Sequence, residues 1–175
     1  VESLEDRAVP AIFTVTDLGD NGGVDPNPGD GTGTLRQAIV DANATPDDDQ
    51  IVFDGSLFAG GAQTIDLENT LTIAAAGGGL TITGPAADQL TVQRDPGATT
   101  DFRVINSYSA NLSLRDFTIS GGTAVAAGVA SGGTTNLDHM AITGNNSTGI
   151  IGGLYVTGGQ TVTITNCVIS GNSAT

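Results

Sequence analysis

LSLRDFTISGG (residues 112 to 122), TNLDHMAITGN (135 to 145) and VTITNCVISGN (162 to 172) are three copies of one pattern. With h for an apolar residue, they share h-x-h-x-x-h-x-h-[ST]-G-[GN]. Leu114, Leu137 and Ile164 are equivalent, then Phe117, Met140 and Cys167, then Ile119, Ile142 and Ile169. Alternation over a few residues sends every second side chain to one face of a strand. The two-residue x-x step breaks that alternation, so the chain turns while the residues on both sides of it stay inside. Glycine then permits a positive φ at the next corner. One such unit cannot bury its apolar face alone, but copies stacked about 4.8 Å apart can. The copies recur after 23 and 27 residues, one circuit of a three-sided solenoid.

The fold expected is therefore all-β: a right-handed parallel β-helix whose N-terminal cap contains one short helix. LTITG (80 to 84) carries the end of the same template, and LTVQ (90 to 93) and FRVI (102 to 105) are further β runs. Hairpin dipeptides such as Asn-Gly do not join the copies, which argues against a sandwich. Stacking predicts two interior columns, Phe117–Met140–Cys167 and Ile119–Ile142–Ile169, with Thr118, Ala141 and Val168 pointing outward. Cys167 is expected in the core as a small hydrophobe. Asn145 and Asn172 should cap turns and stack their amides in a ladder.

Upstream the period changes. Residues 1–10 (VESLEDRAVP) read as a linker or tether, and 11–54 as the cap: strand, Asp/Gly loop, helix, strand. Thr34 precedes Gln37 by three residues, the reciprocal arrangement that satisfies two free amides at a helix start. Leu35, Ala38, Ile39 and Ala42 then form one apolar stripe, and Pro46 ends the helix near Asn43. The coils occupy 55–175 and are truncated at the C-terminal end. The chain begins without Met and stops inside the repeat, so it reads as a piece of something longer.

Composition narrows the function. Nineteen acids face five arginines and no lysine, for a net charge of −14. Such a field repels phosphate backbones, so nucleic acid is not an expected partner. No apolar run reaches the ~18 residues of a membrane span. One cysteine precludes an internal disulfide but not secretion, because a solenoid is stabilised by stacking.

FTVT (13 to 16), GTGTLRQAI (31 to 39), DAN (41 to 43) and QIVFD (50 to 54) resemble the domain, named for a CSLREAI-type motif, that opens many bacterial parallel β-helix surface proteins. Thr34 stands at the cysteine/serine slot and Gln37 replaces the usual glutamate. The later copies, with the glycine pair 152–153, are similar to polymorphic outer-membrane and autotransporter-like repeats, and VESLEDRAVPA (1 to 11) to the N-terminal segment of very large bacterial surface proteins. The resemblance implies a secreted or cell-surface bacterial protein acting as a structural or adhesive module. Its partners would be extracellular polysaccharide or a cell-surface protein. The alternative is a polysaccharide-degrading β-helix enzyme, a lyase or hydrolase, whose site lies mostly outside this segment.

Two clusters are candidates for chemistry. Arg115, Asp116, Asp138 and His139 occupy the x-x step of successive coils, where a carboxylate, an imidazole and a guanidinium on one ridge suit acid–base work on a polysaccharide. A corner is also where polar residues belong in any case, and no catalytic residue is assigned. In the loop 17 to 33, Asp20, Asp25, Asn27 and Asp30 offer hard oxygens for Ca²⁺. Their spacing departs from an EF-hand loop, with Arg36 where the bidentate glutamate would stand, and a solvated turn is the favoured reading. No other cofactor is expected. With no Trp and only Tyr108 and Tyr155, little is left for stacking on sugars.

Overall fold

A computed structural model describes residues 10–74, 78–108 and 111–175. The segment 1–10, read as a tether, lies outside the described residues except for Pro10. In chain order the regular elements are β1 (Ile12–Val15), α1 (Leu35–Asn43), β2 (Asp49–Phe53), β3 (Gln63–Leu67), β4 (Leu71–Ile73), β5 (Leu80–Thr83), β6 (Leu90–Arg94), β7 (Ile105–Ser107), β8 (Leu112–Arg115) and β9 (Thr118–Ser120). They continue with β10 (Val129–Ser131), β11 (Thr135–Asp138), β12 (Ala141–Thr143), β13 (Asn146–Ser147), β14 (Leu154–Val156), β15 (Val162–Thr165), β16 (Val168–Ser170) and β17 (Ser173–Ala174).

Every pairing is parallel, and three sheets run the length of the molecule. The first is β1-β2-β5-β8-β11-β15, the second β3-β6-β9-β12-β16, the third β4-β7-β10-β14; β13 and β17 form a short fourth ladder. The chain visits the three sheets in turn and climbs one rung per circuit. This is a β-solenoid of about four turns with a fifth begun.

The repeat sets the register. Ile51, Ile82, Leu114, Leu137 and Ile164 line up in the first sheet, and Ile65, Val92, Ile119, Ile142 and Ile169 in the second. Phe117 and Met140 are fully enclosed; the Met140 N–H donates to Cys167 Sγ at 3.4 Å, which places Cys167 on the same column. Cys167 itself is only half-buried, and Ile164 and Ile169 are 48% and 43% exposed. They lie in the last turn described, whose outer edge no strand among the described residues covers. Thr118 and Ala141 are half-buried and Val168 exposed, as outward positions should be.

One alignment needs correcting. LTITG does not carry the end of the template: β5 stacks on β8, the start of it, while β6 stacks on β9. Gly84 thus sits at the x-x step, where a Cβ would run into the carbonyl oxygen of Asp116. Its glycine answers a close approach at the first corner and not the positive φ of the second. At that second corner the template glycines behave as expected, with φ of 74° at Gly121 and 63° at both Gly144 and Gly171. The FRVI run is likewise shorter than read, because the strand begins only at Ile105.

The amide ladder forms, and both asparagines reach back one turn. Asn145 Oδ1 accepts from the Gly122 N–H at 3.0 Å, and its Nδ2 donates to the Ile119 carbonyl at 3.3 Å. Asn172 Oδ1 accepts from the N–H and Nδ2 of Asn145, both at 3.0 Å, and its own Nδ2 reaches the Ile142 carbonyl at 2.8 Å. Asn145 is wholly buried. Asn145→Ala is expected to leave these backbone groups unpartnered and to cost about 1–3 kcal/mol, read from the denaturation midpoint.

The helix α1 packs on β1, β2 and β4 at the start of the solenoid. Leu35, Ile39 and Ala42 join the core together with Ile51 and Ile73. Thr34 accepts from the Gln37 N–H at 3.1 Å, as its spacing predicts. The reciprocal half of the box is absent: Gln37 Nε2 turns instead to the Asn27 carbonyl (3.0 Å) and Asp41 Oδ1 (2.8 Å). At the end of β2, the side chain and the N–H of Ser56 both bond Asp54 and hold its carboxyl below the usual range.

A candidate binding groove

The corner ridge stacks as the register requires, with Arg115, Asp138 and Thr165 in line and the Asp116 N–H bonded to the Asp138 carbonyl at 3.2 Å. The four candidates come together only in part. Arg115 and His139 are exposed, and Arg115 forms no ion pair among the described residues. His139 Nδ1 lies 3.0 Å from Asp138 Oδ1, yet that oxygen has no hydrogen-bond partner. A backbone reason accounts for the residue types. Asp116, His139 and Asn166 have φ of 61°, 50° and 53°, the left-handed conformation that Asp, Asn and His tolerate best after glycine. The x-x step is a left-handed hinge, which the pattern alone did not reveal.

The acidic loop is organised around an arginine. Arg36, 2% exposed, bonds Asp20 through Nε (2.8 Å to Oδ1) and Nη2 (2.9 Å to Oδ2), and Nη1 reaches Asp25 Oδ1 at 3.0 Å. The same guanidinium donates to the Asn69 and Thr70 carbonyls at 2.8 and 3.1 Å. Asp30 accepts from the N–H and Nδ2 of Asn27. Among the described residues no three His, Cys, Asp or Glu side chains cluster for a metal. The loop also holds a tight turn at Asn21–Gly23.

Beside α1 a hollow of about 330 Å³ is lined by β1, Gly33 and Gln37, whose buried Oε1 has no partner. Its one carboxylate, Asp41, already accepts from Gly29 N and Gln37 Nε2 at 2.7 and 2.8 Å.

The third sheet is different. Its outward column runs Thr72, Asn106, Ala130, Tyr155. Ala130, buried between two larger neighbours, is among the residues that line a hollow on this flank. Hollows of about 190 and 370 Å³ open there, and Arg103, Asn106 and Tyr108 line both. Tyr155 and Thr157 close the first; Thr70 and Thr72 close the second. Tyr108 is 67% exposed and Tyr155 39%. Arg103 Nη1 donates to Asn106 Oδ1 at 2.9 Å. The result is a shallow groove along the stacking axis, with roughly 10 Å between the rungs of Asn106 and Tyr155.

No family model, curated protein or solved structure matches the chain.

The groove offers tyrosine rings with apolar faces and polar rims, a guanidinium, an amide and hydroxyls. Pockets that bind ligands combine such surfaces with a few placed polar groups. The tyrosines, too few in the sequence to mark a sugar site, are brought to one face by the solenoid register. The third sheet's strands are three-residue runs outside the repeated template, so only the alternation of Leu154-Tyr155-Val156 hinted that Tyr155 faces outward.

Proposed function

We propose that this chain is an extracellular interaction module, secreted or held at a bacterial cell surface, that binds carbohydrate along the groove of its third sheet. The observation carrying this reading is that both tyrosines of the sequence line one groove on the solenoid's flank. The CSLREAI-type resemblance of the cap supports the surface setting. Among the described residues, no helix is long and apolar enough to cross a membrane. A groove along the stacking axis meets an extended chain with the same sheet face rung after rung, which suits polysaccharide better than a compact solute.

Retention on a panel of immobilised polysaccharides tests the reading. Tyr155→Ala should weaken the best-retained member about tenfold, or ~1.4 kcal/mol, at an unchanged melting temperature. Binding that Tyr155→Ala and Tyr108→Ala both leave intact, or a panel without any retention, overturns it.

A further inference from the structure

We infer that the groove selects acidic sugars, with a hexuronate carboxylate seated on Arg103. This deepens the carbohydrate reading and rests on it. The inference comes from where charge is placed. The chain carries nineteen acids, yet among the described residues no Asp or Glu lines either hollow of the groove. Three of the other arginines are placed differently. Arg36 is consumed by Asp20 and Asp25. Arg94 is spent on the carbonyls of Asp95, Ala98 and Thr100 and lies 5.4 Å from the Phe102 ring centroid. Arg115 stands on the exposed ridge of the first sheet.

Arg103 alone among the described arginines lines the groove, half-buried and without a carboxylate partner. Its hydrogen bond to Asn106 engages Nη1 and holds the planar fork, and among the described residues the Nε and Nη2 donors have no partner. That edge suits a bidentate carboxylate, the pairing for which a guanidinium is best shaped. In a strongly acidic molecule, a groove that among the described residues has no acid and one guanidinium without a carboxylate partner is complementary to an anion. The tyrosines beside it restrict that anion to one carried on a ring with an apolar face. A uronate residue has both.

The test uses matched oligosaccharide pairs that differ only by oxidation of the C6 hydroxymethyl to a carboxylate. Gluco, galacto and manno backbones in α-1,4 and β-1,4 linkage are titrated calorimetrically against the whole chain. The oxidised member of at least one pair should bind about tenfold tighter than its neutral twin, and the preference should shrink as salt rises. Arg103→Gln should abolish the difference within each pair, and Arg103→Lys should keep part of it. Equal affinity within every pair, or a preference that survives Arg103→Gln, overturns the inference while leaving the carbohydrate reading intact. If no member of any pair binds and the polysaccharide panel is also negative, both fail.

Discussion

Ile142→Asp should unfold the third to fifth turns, whereas Ala141→Asp, one residue away, should be tolerated. Ile142 is fully buried in β12, between Ile119 below and Ile169 above. Replacing it removes about 1.5–3 kcal/mol of apolar burial and places a carboxylate where no partner exists. The combined loss exceeds about 4 kcal/mol, beyond what local packing tolerates. Ala141 sits on the outer face in line with Thr118 and Val168, so a carboxylate there reaches water. Because solenoid stability is a sum over neighbouring turns, the damage should be local. Hydrogen exchange should show protection lost across residues 112–170 and retained in β2 to β5. An Ile142→Asp chain that exchanges like the wild type would sink the register.

Removal of the guanidinium of Arg36 should cost about 3–5 kcal/mol, more than any surface ion pair. Arg36→Met strands the Asp20 carboxylate, itself 2% exposed, and leaves the Asn69 and Thr70 carbonyls without their donor. Asp20 also accepts from the Glu68 N–H at 2.8 Å, so the pair ties α1 to the chain entering β4. Arg36→Lys should recover little, because a single ammonium cannot serve both carboxylate oxygens and two carbonyls. Arg36→Met with Asp20→Leu should recover much of the loss, since a buried ion pair is replaced by apolar contact. Added Ca²⁺ should leave the wild-type melting temperature unchanged, as the ion would have to displace the guanidinium from Asp20 and Asp25. A saturable rise, lost on Asp25→Ala or Asp30→Ala, would establish the calcium reading.

The two variants mark what could be read from the sequence. The columns through Ile142 were legible because alternation, a fixed x-x break and a glycine corner recur together, and each constrains the others. The helix was legible from a cap and a stripe. Arg36 was not: it shares a helix with the apolar stripe, and its partners lie 11 to 34 residues away in a loop and a strand entrance without any period. Asp116 and His139 admit two readings because a left-handed corner and an acid–base ridge draw on the same residue types. The groove was hidden for another reason. Its residues come from separate turns, and only the ladder of β4, β7, β10 and β14 brings them to one face.

Asn145 and Asn172 both spend their amides on the turn beneath them, Asn145 on Gly122 and Ile119, Asn172 on Asn145 and Ile142. Gly122 holds the same slot with no side chain, so the ladder has a foot and a direction. Each new circuit brings the donor and acceptor that complete the corner already laid, as Asn172 Oδ1 does for the N–H and Nδ2 of Asn145. A corner therefore gains its full set of polar partners only when the circuit C-terminal to it has stacked.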